Sequence, residues 1–168
     1  MKALIFTISI FVIIPYSIFA IDKEEALYYN NWNDSLQDNN LMLSKAYINS
    51  NPSKALAYIS QAIINTDNVL LKAKCYLQKG IIYNYSYTNK GKAALENYLL
   101  AKEIYTQNSV QNKVIITNIL MGEAHINLGE QNKADLLLSK TKELVNKNRE
   151  PFLMVMAYLA ELDLNYLK

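Results

Sequence analysis

The sequence contains a single cysteine, Cys75, and a single histidine, His125, and this scarcity excludes several kinds of chemistry. One cysteine cannot form a disulfide within the chain or supply a multi-cysteine metal site. A nucleophile and base pair would have to use His125, yet the G-x-S-x-G serine motif is absent. Glycine-rich phosphate-binding loops are absent as well. We therefore expect a protein that is not an enzyme and that binds no cofactor or metal.

Glycine and proline are also scarce, at 4 and 3 of 168 residues, whereas hydrophobic residues make up 51%. This composition excludes disordered and collagen-like classes and suits a single folded domain. The formal net charge is only +2. Nucleic-acid binding needs a concentrated basic face, and the densest basic segment, residues 140–149, is interrupted by Glu143. We expect no nucleic-acid partner.

Residues 1–20 have the layout of a secretory signal peptide. Lys2 precedes an uncharged apolar run, Pro15 interrupts that run, and the small residue Ala20 comes last. The protein is therefore expected to be exported, to a periplasmic or secreted location. The alternative is an uncleaved leader that anchors the chain in the membrane, since the uncharged stretch approaches the ~20 residues needed to cross a bilayer. Residues 21–33, around Trp32, are predicted to be a polar linker.

One spacing of small and large residues occurs three times after the linker. Residues on one helix face recur at intervals of three and four, so each copy predicts two helices packed across a short turn. The alanines Ala55, Ala94 and Ala134 mark the copies and are 39 and 40 residues apart. The second copy contains Gly80, Tyr83, Ala94, Tyr98 and Ala101, and the third contains Gly122, His125, Ala134 and Leu138.

This pattern resembles the tetratricopeptide-repeat family, in which a small residue and a tyrosine on the first helix are followed by alanine and a large apolar residue on the second. The resemblance covers residues 34–168. It implies an all-α solenoid of stacked antiparallel hairpins, with about three repeats and an unpaired C-terminal helix. The observed period is longer than the family's ~34 residues, so a HEAT-like or other solenoid with a period of ~40–47 residues is the alternative.

The repeated positions predict packing contacts between helices. Gly80 and Gly122 would let the paired helix approach closely, at a helix-propensity cost of about 1 kcal/mol that packing must offset. His125 occupies the place of Tyr47 and Tyr83 in the other copies and is expected to pack as a ring. Cys75 is expected to be a buried small hydrophobe.

Capping residues and turn signals predict seven helices. The first is expected to start from a cap at Asp34 or Ser35 and to continue to residue 49. The second covers 52–65, and the third follows cap candidates at 66–68 and continues to about residue 87. The fourth covers 92–106, and Asn108 and Ser109 are expected to open the fifth, which ends near residue 128. The sixth covers 131–148 and the seventh 152–168.

In tetratricopeptide-repeat proteins the first helix of each pair lines a concave groove, so the resemblance implies a groove here too. Its apolar walls with Asn and Tyr at the edges would suit an extended or helical peptide. The alternative is that its apolar residues pack against neighbouring helices. The candidate groove residues are Lys74, Leu77, Ile81, Asn84, Tyr85, Ile116, Ile119, Glu123, Ile126 and Asn127.

The segment that starts with Phe152 and continues to Lys168 is apolar on every side of the predicted helix, because residues 152–160 are all nonpolar or aromatic. One side can pack on the preceding hairpin. The other side, to which Leu153 and Met156 are assigned, is expected to be uncovered. We expect this helix to dock on a second copy in a homodimer, on a continuation of the chain, or on a partner protein.

The function predicted from these features is that of an exported, non-catalytic scaffold for protein–protein interaction, which binds a protein or peptide segment. The alternative is the sensory or dimerising N-terminal part of a longer bacterial signalling protein, either a sensor kinase or a transcription regulator. The chain resembles the exported repeat arrays that precede the kinase or regulator segment in such proteins.

Overall fold

A computed structural model of the chain describes residues 38–86, 90–148 and 151–166. In these ranges the protein is all-α, as predicted, with seven helices and no strand. All described residues belong to one compact unit, Leu36–Lys168. The predicted leader and linker lie outside the described residues, as does Lys168. The helices are α1 (Asn39–Tyr47), α2 (Pro52–Asn65), α3 (Val69–Ser86), α4 (Gly91–Gln107), α5 (Gln111–Asn127), α6 (Gln131–Asn148) and α7 (Pro151–Tyr166).

Side-chain caps start the first three helices. The Asp38 carboxylate accepts hydrogen bonds from the backbone N–H of Asn40 and Leu41, at 2.8 and 3.1 Å. Helix α1 is thus capped by Asp38 and not by Asp34 or Ser35 as predicted; the two predicted cap residues lie outside the described residues. Asn51 caps α2, which has proline in its first turn, as expected. The side chain of Asn68 caps α3 by accepting from Leu71 at 3.0 Å.

The two turns that flank α5 have the same hydrogen-bond pattern. In each, a residue with positive φ follows the helix end, Ser109 at 58° and Gly129 at 71°. The N–H of the next residue reaches back to the backbone carbonyl five residues earlier, at 2.9 Å in both cases. This is the Schellman motif, which closes a helix. Asn108 and Ser109 thus end α4 rather than open α5 as predicted, and α5 starts at Gln111.

Each helix packs against the next along the chain, from α1 through α7. Alternate helices also contact one another, in the pairs α1 and α3, α3 and α5, and α5 and α7. The odd-numbered helices thus lie side by side, each with the following even-numbered helix against it. This arrangement is consistent with a helical-repeat fold.

Two glycines lie directly against a large side chain of the paired helix. A Cβ atom built on Gly80 would lie 2.4 Å from Cε1 of Tyr98, and one on Gly122 would lie 2.5 Å from Cδ2 of Leu138. Both distances are far below an ordinary carbon contact of roughly 3.5 Å. A side chain at either position would therefore force the facing side chain or the helix to move.

The centre of the array is α5, which contacts α3, α4, α6 and α7. Its residues from Val114 to Ala124 are all buried, because a helix with neighbours on every side has no face left for solvent.

A hydrophobic cluster holds α1, α2 and α3 together. Its buried members are Leu41, Ala55, Ile59, Ala62, Leu71, Cys75 and Ile82. The repeated alanines Ala94, Ala101 and Ala134 are fully buried too.

Candidate interaction surface

The ten residues predicted to line a groove all lie on α3 and α5, two helices that contact each other. Tyr85 is 49% exposed, Asn127 is exposed, and Ile81 is half-buried. The other seven are buried within the chain. Burial of the apolar ones is what the alternative packing interpretation expects. The buried members are Lys74, Leu77, Asn84, Ile116, Ile119, Glu123 and Ile126.

Two polar contacts join α3 to α5 at this surface. The hydroxyl of Tyr85 donates a hydrogen bond to the carboxylate of Glu123. The side-chain amide of Asn127 donates to Oδ1 of Asn84 at 3.1 Å. In each contact an exposed side chain is held by a buried one, which reduces its rotamer freedom before any ligand arrives. The edge formed by Tyr85 and Asn127 is therefore partly preorganised.

Tyr98 of α4 lies against Gly80 of α3 and is completely buried. Desolvation raises the pKa of its phenol well above the ordinary value, and the negative charge of Glu123 raises it further. The hydroxyl is consequently protonated at any physiological pH and available as a hydrogen-bond donor.

His125 was predicted to pack as a ring. Its side chain is 15% exposed and bonds through a ring nitrogen to Glu130. Its Nδ1 lies 2.6 Å from Oε2 of Glu130, whose other carboxylate oxygen accepts from Lys133 at 2.9 Å. The Lys133 hydrogen bond, followed by that of His125, lowers the pKa of Glu130. His125 thus links the end of α5 to the start of α6 and lies apart from the Tyr85 and Asn127 edge.

Cys75 is fully buried between α1, α2 and α3. Desolvation raises the pKa of its thiol to about 12, so at neutral pH the reactive thiolate is negligible. In residues 38–86, 90–148 and 151–166, no three His, Cys, Asp or Glu side chains are close enough to hold a metal ion.

The apolar residues of α7 divide between a buried and an exposed side. Leu153 and Met156, expected on the uncovered side, are fully buried, so that assignment is wrong. The exposed side instead carries Val155, Tyr158 and Leu162, at 53%, 46% and 50% exposure. Their spacing of three and four residues makes one continuous stripe. We call Val155, Tyr158 and Leu162 the α7 stripe.

A polar contact that the sequence analysis missed borders the α7 stripe. Lys142 of α6 donates to Oε2 of Glu161 at 2.6 Å, and its ammonium lies 4.6 Å from the centre of the Tyr158 ring. The hydrogen bond to Glu161 raises the pKa of Lys142. These residues lie on different helices and share no spacing, so no sequence pattern could have paired them.

Comparison of the chain with protein-family models, with curated proteins and with solved structures finds no match. None of the described helices combines the length and the apolar character needed to span a bilayer.

Proposed function

We propose that this protein is a non-catalytic helical-repeat scaffold of the tetratricopeptide type that binds an extended peptide or protein segment. The observation that carries the proposal is the edge where Tyr85 of α3 and Asn127 of α5 are held by Glu123 and Asn84. Successive hairpins contribute to one surface there, as a peptide lying across a repeat array requires.

The chemistry of this edge suits a peptide. Tyr85 offers a ring half in solvent, Asn127 offers an amide that can donate and accept, and half-buried Ile81 lies one turn before Tyr85 on the same face. An aromatic surface with neighbouring amide groups can pack against a peptide side chain and hydrogen-bond to its main chain.

The resemblance to tetratricopeptide repeats is part of this proposal. It is supported by the two close crossings, in which Gly80 packs on Tyr98 and Gly122 on Leu138 at equivalent places in two successive hairpins. Chance apolar spacing would not place a glycine opposite a large buried residue in both.

The test is selection of a displayed random-peptide library on the purified full-length chain. We expect enriched peptides whose affinity falls at least ~10-fold, or ~1.4 kcal/mol, for the Tyr85→Ala and Asn127→Ala variants. The control is Leu136→Ala, because Leu136 is 59% exposed on α6. Peptides that are equally sensitive to Leu136→Ala, or a selection that enriches nothing, would contradict the proposal.

Export is proposed from the leader pattern of residues 1–20. Expression with a C-terminal tag in a bacterium, followed by determination of the N-terminus, tests it. A mature chain that starts near Ile21 outside the cytoplasm is the expected product. A cytoplasmic product that still begins with Met1 would contradict export.

The α7 stripe favours a second candidate function, a dimerising or sensory segment of a bacterial signalling protein. Exposure of an apolar stripe to water favours association of two copies of the chain. Burial of each large apolar side chain contributes roughly 1.5–3 kcal/mol of free energy. Light scattering coupled to size exclusion on the full-length chain should then show a dimer. Val155→Glu should dissociate it while the control Leu136→Glu does not. A wild-type monomer would rule out dimerisation through α7.

A further inference from the structure

Three buried polar groups lie one on each of α3, α4 and α5, helices that contact one another. The first is the hydroxyl of Tyr98, whose ring lies against α3 at Gly80. The ring is completely buried, and the hydroxyl has no hydrogen-bond partner among the described residues. The phenol is therefore a buried donor for which residues 38–86, 90–148 and 151–166 supply no acceptor.

The second group is the side-chain amide of Asn84, which lies one helical turn after Gly80 on the same face of α3. Asn84 is 7% exposed. Its Oδ1 accepts from Asn127 at 3.1 Å, whereas its Nδ2 has no partner in the described part of the chain. Nδ2 is therefore a second buried donor, one turn after the glycine that the Tyr98 ring lies against.

The third group is the carboxylate of Glu123 on α5, one turn before Asn127. It is 5% exposed and accepts a hydrogen bond from the hydroxyl of Tyr85. A carboxylate offers about four lone pairs, so it can accept further hydrogen bonds beside that one. It lies near Asn84 at the contact between α3 and α5, because the next residue of α3, Tyr85, donates to it.

We propose that this junction is a binding site for one ordered internal water molecule, which accepts hydrogen bonds from Tyr98 and Asn84 and donates one to Glu123. Buried waters typically make about three hydrogen bonds to groups that otherwise lack partners, and two donors with one acceptor match that requirement. The water connects α3, α4 and α5, so it helps to fix how the α3–α4 hairpin sits against α5 and hence the edge formed by Tyr85 and Asn127.

A high-resolution crystal structure of the full-length chain tests the site directly. We expect a water peak within about 2.6–3.2 Å of the Tyr98 hydroxyl, Asn84 Nδ2 and a carboxylate oxygen of Glu123. A structure in which the Tyr98 hydroxyl bonds directly to Glu123, with no water at the junction, would overturn the proposal.

Oxygen-17 relaxation dispersion of the solvent gives an independent measurement, because it counts long-lived internal waters in solution. The count should fall by one in the double variant Tyr98→Phe, Asn84→Leu, which removes both donors. It should stay at the wild-type value in the control Tyr105→Phe, which changes another buried tyrosine of α4. An equal count in the wild type and the double variant would also overturn the proposal. If the double variant does not fold, the wild-type crystal structure decides.

Discussion

Substitution of Gly80 by alanine sets two effects of opposite sign against each other. In an unobstructed helix interior, alanine in place of glycine stabilises by about 1 kcal/mol through helix propensity. At Gly80 the added Cβ would lie 2.4 Å from Cε1 and 2.5 Å from Cδ1 of Tyr98. A normal carbon contact of about 3.5 Å requires the ring or the helix to move by roughly 1 Å.

The ring of Tyr98 cannot turn outward into solvent to relieve the clash, because it is completely buried. Overpacking of this kind costs typically ~1–3 kcal/mol. Subtraction of the ~1 kcal/mol propensity gain leaves a net destabilisation of about 0–2 kcal/mol. For a domain of this size, 1 kcal/mol corresponds to a shift in Tm of roughly 3–5 °C. We therefore expect Gly80→Ala to lower the Tm by up to roughly 10 °C.

Calorimetry or circular dichroism of Gly80→Ala measures this effect. The control is the pair Lys79→Gly and Lys79→Ala, which reports the propensity difference at the neighbouring position. A second control is Gly80→Ala in a Tyr98→Val background, where the shorter side chain removes the clash and alanine should become favourable. The Tm difference between Lys79→Ala and Lys79→Gly measures the propensity effect alone. If Gly80→Ala raises the Tm by that same amount, the steric argument is refuted.

Three further predictions concern stability. Gly122→Leu should cost on the order of 1–3 kcal/mol or more in urea unfolding, because the new side chain overlaps Leu138; an unchanged midpoint would contradict the close crossing. Ser109→Gly should stabilise by about 0.5–1 kcal/mol, since serine is strained at a φ of 58°, and a lower midpoint would argue against the positive φ. Lys133 and His125 lower the pKa of Glu130 in the folded protein. The stabilisation from ionised Glu130 is therefore complete above the ordinary glutamate pKa of about 4.3. It is lost as the pH falls through the lowered pKa of the folded protein. The Tm difference between wild type and Glu130→Gln should thus be smaller at about pH 3 than at about pH 5; a difference that grows between these two pH values on acidification would refute this.

The local sequence determined the helices of this protein and most of their boundaries. The Asn51 and Pro52 pair starts α2 where a cap and a proline predict it, and Gly129 ends α5 in the turn expected there. These features depend on the backbone of a few neighbouring residues, so the sequence specifies them directly. The α4 end was misjudged because Ser109 takes a conformation that usually requires glycine.

Only the tertiary structure decided which side chains are accessible. Seven of the ten candidate groove residues are buried. On α7, Leu153 and Met156 are buried although they were expected to be uncovered, and Val155 and Tyr158 are exposed. A helix such as α7, apolar on every side, has no periodic contrast to show which face packs inward. The pairing of Tyr85 with Glu123, and of Lys142 with Glu161, likewise depends on how separate helices are stacked. The spacing within one helix carries no information on that stacking, because it is set by contacts between residues far apart in the chain.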